Sequence, residues 1–250
     1  MVDRRICLWS GPRNVSTALM YAFRERRDTQ VFDEPLYAHY LRATGVDHPG
    51  GDAVLAEQDH DGERVIRQLV LGPGERPVLF FKMMAKHLVG LDRGFLAQVT
   101  NVLLIRDPRP VLASFSTLVQ DVTLDEISLP IQVELLERTL AAGEQPLVLD
   151  AGRLLLDPPA VIGELCDRIG IARDDRMFSW DPGPKPEDGS WGAFWYVNAH
   201  ASTGFAPHRP RDVELPAHLE AIAELAQPLY DRLLAHAIGR EQAMPTGSDG

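Results

Sequence analysis

The sequence is poor in cysteine, has no lysine-rich run and contains no long apolar segment. Its two cysteines, Cys7 and Cys166, lie far apart in a chain without an export signal, so we interpret them as small buried side chains rather than a disulfide. The apolar run near the N-terminus extends only from Ile6 to Trp9, which is too short for a signal-peptide core or a membrane span. The sequence therefore predicts a cytoplasmic protein without a membrane segment.

Positive charge is also scarce. The chain has 25 Lys and Arg residues against 36 Asp and Glu residues, which gives a formal net charge of −11. A nucleic-acid partner normally requires a basic face, so this balance argues against one. It does not exclude a small anionic ligand, because a helix N-terminus and two or three arginines can hold a phosphate locally. The acidic and histidine residues between 47 and 61 show no regular ligand spacing, and we expect no metal site.

Five short apolar runs mark the first 150 residues, at 6–9, 31–32, 78–81, 102–105 and 147–149. None shows polar alternation, and helical stretches separate several of them, a pattern typical of a parallel sheet covered on both faces. The sequence thus predicts an α/β fold of three layers, with a central parallel sheet flanked by helices. We expect one domain over 1–240 and a disordered tail over 241–250.

The segments between the strands are assigned from period and composition. Helices are predicted at 17–23, 131–142, 159–169 and 219–238, the last with Pro228 inside it. The Gly-, Asp- and His-rich stretch 45–62 is predicted as a long loop. The stretch 180–210 is rich in Pro, Gly and aromatic residues and has no clear period, which favours a lid or binding loop.

Charged side chains follow four of the predicted strands at the points where those strands end. Arg13 follows the first strand, Glu34 the second, Lys82 the third and Arg106 the fourth. Ligands of open α/β sheets bind at the carboxyl ends of the strands, so we expect these four residues to share one site.

The loop after the first strand has the composition of a phosphate-binding loop. It runs through Gly11 and the predicted ligand-binding residues Pro12, Arg13, Asn14, Val15, Ser16 and Thr17 into a helix. Free N–H groups, one cation and two hydroxyls are thereby offered to an anion. The loop resembles a Walker A loop but lacks the Gly-Lys-Ser/Thr ending. Taken alone, Ser16 and Thr17 could equally serve only to cap the helix.

A second pair of residues favours phosphate binding over simple helix capping. Arg106 ends the fourth strand, and Ser114 follows eight residues later in the next helix, so both can reach one phosphate. Together with Pro12-Arg13-x-x-Ser16-Thr17, this pair resembles the 3′-phosphate and 5′-phosphosulfate motifs of the sulfotransferases that use 3′-phosphoadenosine-5′-phosphosulfate (PAPS). A third block, over 148–170, is similar to that family's acidic strand end, Asp-Pro step and following helix. The resemblance covers about 6–170.

This resemblance implies a P-loop-type fold like that of bacterial sulfotransferases. It also implies transfer of a sulfuryl group from PAPS to a hydroxyl or amine of a small-molecule acceptor, without a metal. Two positions depart from the family pattern. Val15 stands where many members have glycine, and a β-branched residue adopts positive φ only at a cost. The usual Arg-Lys-Gly near the C-terminus is missing, and we assign Ser202, Thr203 and Gly204 to its role in binding the nucleotide.

Sulfuryl transfer, like phosphoryl transfer, depends on positioned cations and on a base for the acceptor's proton. The resemblance places Arg13 and Lys82 near the leaving group, although Lys82 could also be a strand-end charge that reaches water. For the base it offers two residues. Glu34 lies where some bacterial enzymes have a glutamate, whereas His87 lies three residues later than the histidine of cytosolic animal enzymes. We favour Glu34, and the alternative for His87 is an ordinary histidine on a helix surface.

Two rival functions remain open. A P-loop kinase or nucleotide hydrolase would need a P-loop lysine and an acidic magnesium ligand, for which Asp107 is the candidate. A non-catalytic nucleotide-binding protein of the same fold is the other rival. The acceptor pocket is expected to include Tyr37, Tyr40 and the aromatic stretch near Trp191. The sequence indicates neither the identity of the acceptor nor the oligomeric state.

Overall fold

The computed structural model describes residues 2–119, 122–207 and 213–239, and the tail predicted over 241–250 lies outside these ranges. Within them the central sheet has five strands, all parallel, in the order β2-β3-β1-β4-β5. The strands are β1 (Arg4–Ser10), β2 (Thr29–Asp33), β3 (Val78–Met84), β4 (Thr100–Ile105) and β5 (Leu147–Asp150). The parallel sheet predicted from the apolar runs is therefore confirmed.

Both faces of the sheet are covered, which explains why the strands read as unbroken apolar runs. In β1, Cys7 and Trp9 belong to one core, whereas Ile6 and Leu8 belong to the other. This division follows from strand geometry, because successive side chains point to opposite faces. All seven residues of β3 are buried.

Helices form the two outer layers. Those that pack on the face of Ile6 are α1 (Ser16–Arg24), α7 (Ala151–Leu156) and α8 (Pro158–Ile169). The face of Trp9 is covered by α4 (Gly62–Val65) with the π-helical turn Ile66–Val70, and by α5 (Pro108–Phe115), α6 (Leu129–Ala141) and α11 (Ala217–Leu234). The remaining helices are α2 (Tyr37–Thr44), α3 (Gly51–Glu57), α9 (Gly192–Trp195), α10 (Val197–His200) and the 3₁₀ turns Ala85–Leu88, Gly94–Gln98 and Asp175–Phe178.

Two predicted boundaries were wrong in ways that matter for the site. The stretch 45–62 is not one long loop, because α3 occupies its middle and packs on α2 through the buried Val54. The third strand does not stop at Lys82 but continues to Met84. Lys82 therefore lies inside a buried strand, which is tolerated because its ammonium group meets carboxylates there. Pro228 does lie inside the last helix, as predicted.

The stretch 180–210 is largely irregular where it is described and contains the two short helices α9 and α10. It is tied to the body of the protein by polar contacts. Asp188 accepts a hydrogen bond from the Tyr21 hydroxyl at 2.8 Å and contacts His200 Nε2 at 3.0 Å, while Glu187 pairs with Arg24 at 2.7 Å. In the described residues, we find no helix with the length and apolar character needed to span a membrane.

The Phe80 ring connects β3 to α1, and we expect its removal to destabilise the fold. Phe80 is fully buried and stacks on Phe23 with ring centroids 4.1 Å apart. Phe80→Ala should lower the free energy of unfolding by about 3–5 kcal/mol, since the contact is lost and a cavity is left. Urea denaturation measures this loss. Phe194→Ala, at a side chain 53% exposed, is the control and should stay within about 0.5 kcal/mol of the parent protein.

Candidate active site

A cleft of about 590 Å³, counting the part open to solvent, lies at the carboxyl ends of β1, β2 and β3. The loop 11–17, the residues after β2 and β3, and the aromatic segment 191–196 form its walls. The cleft brings together most of the residues predicted for the reaction centre: Pro12, Arg13, Asn14, Ser16, Thr17, Glu34, Lys82 and His87. Strand ends of a parallel sheet meet at one edge, so this convergence follows from the topology.

The N-terminus of α1 faces this cleft without a capping side chain. Val15 occupies the N-cap position, and among the described residues no side chain caps the helix there. Ser16 and Thr17 are buried and line the cleft rather than capping the helix. The first N–H groups of α1 are therefore available to an anion, as are the two hydroxyls.

The loop backbone turns at Arg13, not at Val15. Arg13 has a φ of 55°, whereas Val15 has a φ of −86°, so the departure from the family's glycine adds no strain at Val15. A left-handed conformation at a non-glycine residue costs free energy and persists only where neighbours hold it. Arg106 Nη1 donates to the Arg13 carbonyl at 2.8 Å, and Arg13 Nε donates to Ser114 Oγ at 2.9 Å. The two predicted phosphate ligands thus meet at Arg13.

Arg106, which was expected to share one site with Arg13, Glu34 and Lys82, is not among the described residues that line the cleft. It lines a second cavity of about 230 Å³, again counting the part open to solvent. Gly11, Pro12 and Asn14 belong to the walls of both cavities, so the loop separates them. Gly11 has no room for a side chain, because a Cβ atom there would lie 2.5 Å from the Ile127 carbonyl oxygen. Burial lowers the pKa of Arg13, so an anion placed beside this guanidinium would replace part of its lost hydration.

Lys82 is the centre of a buried cluster of charges. Its ammonium group donates to Asp33 Oδ1 at 2.8 Å, to Tyr196 Oη at 2.6 Å and to Glu34 Oε1. These contacts use all three of its N–H donors. Glu34 has a φ of 42°, and its own N–H donates to the Lys82 carbonyl at 2.8 Å. Lys82 and the Glu34 backbone therefore hold the predicted base in one orientation.

Tyr196 completes this cluster from the segment between α9 and α10. Its hydroxyl accepts from Trp191 Nε1 at 3.0 Å and lies 2.8 Å from Asp33 Oδ2, to which it donates. Burial, and then the charge of Asp33, raise the pKa of Tyr196 well above its ordinary value, so it stays neutral. Neither Asp33 nor Tyr196 was predicted as a site residue. Asp33 was visible as the residue before Glu34. The aromatic stretch near Trp191 was expected to line the acceptor pocket, but nothing in its sequence singled out Tyr196.

The two carboxylates of this cluster compete for one lysine. Burial raises the pKa of Asp33 to about 6, although the Lys82 charge acts against this rise. Burial acts to lower the pKa of Lys82, but the charges of Asp33 and Glu34 outweigh it, and the pKa lies above its ordinary value. The lysine is therefore charged at neutral pH, and the cluster as a whole carries excess negative charge.

His87 is not the surface histidine that the sequence allowed. It is 1% exposed in the turn Ala85–Leu88, and its ring lies between Tyr37 and Tyr40, with centroid distances of 4.9 and 4.8 Å. Burial, and then the nearby charge of Lys86, hold the pKa of His87 well below its ordinary value. The imidazole is thus neutral and fixed in orientation.

A second polar network stands behind the aromatic wall of the cleft. Lys86 pairs with Glu126, which also accepts a hydrogen bond from Tyr40 Oη at 2.6 Å. Tyr37 Oη lies 2.9 Å from His48 Nδ1, and His48 Nε2 lies 3.8 Å from Glu126. Tyr37 lines the cleft, as predicted, while Tyr40 lies behind it. Sequence reasoning missed Lys86, His48 and Glu126, because their spacing matches no motif.

Ser202, Thr203 and Gly204 occupy a different place from the other predicted ligands. Ser202 Oγ accepts from Trp180 Nε1 at 3.0 Å, and the Thr203 carbonyl accepts from the Trp180 N–H at 3.2 Å. None of the three is among the described residues that line the two cavities. Their role in binding the nucleotide stays a prediction. In the described ranges, no group of three or more His, Cys, Asp or Glu side chains is arranged to hold a metal ion.

Comparison with known proteins identifies the family of the chain. A family model described as "Sulfotransferase domain" matches residues 4–237. Branched-chain-amino-acid aminotransferase-like protein 2 of Arabidopsis thaliana is 37% identical over 229 residues, which make up 91% of this chain and 41% of that protein. The chain therefore spans about two fifths of the length of this curated relative.

Two solved structures share the fold. The sulfotransferase domain from the curacin biosynthetic pathway has a TM-score of 0.54 at 16% identity, with 90% of this chain and 98% of that chain covered. The sulfotransferase domain from the Synechococcus PCC 7002 olefin synthase has a TM-score of 0.50 at 17% identity, with 90% and 94% covered. At such identities the likeness shows the fold, and it confirms the P-loop-type α/β architecture.

The raised pKa of Asp33 predicts how stability depends on pH. The folded protein holds a proton on Asp33 up to pH of about 6, whereas the unfolded chain releases it near its ordinary value of 3.8. Asp33 therefore contributes to the free energy of unfolding below pH 4. This contribution, at most about 3 kcal/mol, is lost as the pH rises to 6. Relative to Asp33→Asn, the parent protein should lose stability across this window in urea denaturation. Parallel profiles of the two proteins would refute the assignment, and Asp47→Asn at an exposed position is the control.

Proposed function

Because the chain belongs to the sulfotransferase domain family, we propose that it moves the sulfuryl group of PAPS onto a hydroxyl or amine of a small-molecule acceptor. The observation that carries this proposal is the cleft, in which the uncapped N-terminus of α1, Arg13 and Glu34 face the same space. The aminotransferase-like name of the curated relative describes a protein more than half of which lies outside the match. We do not propose aminotransferase activity for this chain.

The residues present fit the donor. Pro12, Asn14 and Val15 shape the loop, and the N–H groups and hydroxyls of Ser16 and Thr17 suit its 5′-phosphate. Arg106 and Ser114 are proposed for the 3′-phosphate. Both already contact Arg13, so a nucleotide phosphate bound beside them would join an existing network. Ser202, Thr203 and Gly204 remain proposed to bind the nucleotide, at a part of it that extends beyond the cleft.

The donor supplies the sulfuryl group and leaves as 3′-phosphoadenosine-5′-phosphate with the electron pair of the broken sulfur–oxygen bond. Arg13 stabilises the charge that develops on the leaving oxygen. Among the described residues its Nη2 makes no hydrogen bond, so this part of the guanidinium can turn to a ligand. Lys82 would reach the donor only by giving up one of its three partners, and its first role is to hold Glu34.

Glu34 is the proposed base that accepts the acceptor's proton. It lines the cleft, its Oε1 is held by Lys82, and no hydrogen bond among the described residues involves its Oε2. His87 is a poorer candidate, because burial and the Lys86 charge oppose the positive charge that it would gain. We therefore keep the sequence-based preference for Glu34 and hold His87 as the alternative.

The rival functions find less support. Arg13 replaces the P-loop lysine of a kinase, and Asp107, the candidate magnesium ligand, accepts the Arg109 N–H at 2.9 Å to cap α5. A non-catalytic binding protein would have no use for a glutamate oriented by a buried lysine. The proposed activity accounts for both features.

The role of Arg106 is tested by nucleotide preference. In calorimetry, the protein should bind 3′-phosphoadenosine-5′-phosphate more tightly than 5′-AMP. Arg106→Ala should reduce the ratio of the two affinities about 10- to 100-fold, because a charge-assisted hydrogen bond is lost. Arg109→Ala, which removes an arginine paired with Glu220, is the matched control and should keep the preference. An unchanged preference in Arg106→Ala would refute the assignment. Tighter binding of ATP than of 3′-phosphoadenosine-5′-phosphate would favour the kinase.

The role of Glu34 is tested by turnover. With PAPS and an acceptor found in a panel of alcohols, phenols and amines, Glu34→Gln should lower kcat about 10²–10⁴-fold, because the amide cannot take the proton. Nucleotide affinity should stay nearly unchanged, and His87→Ala should reduce kcat far less. If Glu34→Gln turned over at a near-parental rate while His87→Ala was inactive, the base would be His87.

A further inference from the structure

Charges and unpaired polar atoms around the cleft indicate what the acceptor carries, and this inference rests on the function proposed above. Among the described residues that line the cleft, the charged side chains are Arg13, Lys82, Lys86 and Glu34. Asp33 and Glu126 stand behind the lysines and are absent from the lining. Both lysines are paired with these carboxylates, whereas Arg13 forms no ion pair among the described residues. A preference for an anionic occupant therefore depends on the hydrogen-bond donors that remain without partners.

The Lys86 ammonium has N–H groups that are not used in hydrogen bonds among the described residues. Its side chain is 9% exposed, and its one ion pair in the described residues is with Glu126. The ammonium lies over the rings of Tyr40 and Phe115, at 4.8 and 5.6 Å, and these rings accept no conventional hydrogen bond. Two of its three N–H groups thus lack a hydrogen-bond partner among the described residues. Burial lowers the pKa of Lys86 despite Glu126, as expected of a cation that is only partly compensated.

Three further polar atoms of cleft-lining residues lack partners. Asn14 Oδ1, His87 Nδ1 and Trp195 Nε1 are buried and make no hydrogen bond among the described residues, and of these Asn14 belongs to the loop 11–17. The indole N–H is a donor only, so an acceptor group of a ligand or a water must complete it. Trp195 lies close to the same network, since its ring is 6.0 Å from His48 and 6.3 Å from Phe115. Unpaired buried polar atoms are costly, and here they surround one space.

We propose that Lys86, His87 and Trp195 form a subsite for a carboxylate of the acceptor, whose hydroxyl or amine is presented to Glu34. The acceptor is then a hydroxy acid or an amino acid-like compound rather than a simple alcohol. A carboxylate accepts several hydrogen bonds at once, which suits two ammonium N–H groups and an indole N–H. A cationic acceptor is disfavoured, because Lys82 and Lys86 already occupy the faces of Tyr196 and Tyr40.

Matched pairs of simple ligands test this subsite. The protein saturated with 3′-phosphoadenosine-5′-phosphate would be titrated by calorimetry with 4-hydroxyphenylacetate and its amide, and with 6-hydroxyhexanoate and its amide. We expect the carboxylates to bind at least about 10-fold more tightly than the amides. Lys86→Met should abolish the preference, Lys86→Arg should retain most of it, and Trp195→Phe should reduce it several-fold by removing the N–H. Arg67→Met, which removes an exposed cation, should leave it unchanged.

Each outcome bears on a different claim. Equal binding of carboxylates and amides by the parent protein, or binding of neither, would overturn the subsite. If Lys86→Met weakened 3′-phosphoadenosine-5′-phosphate as much as the carboxylates, Lys86 would belong to the donor site and the proposal would fail. If the nucleotide did not bind but the carboxylate preference remained, the donor assignment would fail and the subsite would stand. Thermal unfolding of each variant shows whether a lost preference reflects a lost fold.

Discussion

The site depends on one constraint, the burial of the Lys82 ammonium inside a central strand. A buried ammonium must be matched by an opposite charge and by acceptors for its hydrogen bonds, since desolvation is otherwise prohibitive. Asp33, Glu34 and Tyr196 meet this demand, and they come from β2, from the residue after it and from the segment between α9 and α10. The same contacts that solve an electrostatic problem thereby fix the orientation of Glu34 and attach the aromatic wall of the cleft to the sheet.

The cleft has two polar sides joined by aromatic rings. On one side, Arg13 links the N-terminus of α1 to Ser114 and Arg106, and on the other, Lys86 and Glu126 back the rings of Tyr37 and Tyr40. Trp195 touches both sides, because its carbonyl lies 3.4 Å from Arg13 Nη1 and its ring lies near His48. In the proposed reaction, the groups that bind the donor and those that bind the acceptor would lie next to each other on different structural elements.

The sequence could predict what depends on local pattern and on sheet topology. The apolar runs and the residues after them were enough to predict the parallel sheet and the convergence of Arg13, Glu34 and Lys82. The end of β3 could not be predicted, because a lysine inside an apolar run looks like a stop signal unless its buried partners are known. The burial of His87 depends on Tyr37 and Tyr40 from another helix. Tyr196 and Trp195 come from a stretch without period, so their positions follow only from tertiary packing.

The two left-handed residues at the cleft, Arg13 and Glu34, make the site a point of local frustration. Glycine would relieve the backbone strain at either position but would remove the guanidinium or the carboxylate. Substitutions chosen for thermostability alone would therefore tend to remove the two side chains proposed for the reaction, so stability and the proposed activity are in conflict at these positions. When the protein is selected for higher stability, substitutions should accumulate first in the outer helices and last at Arg13 and Glu34.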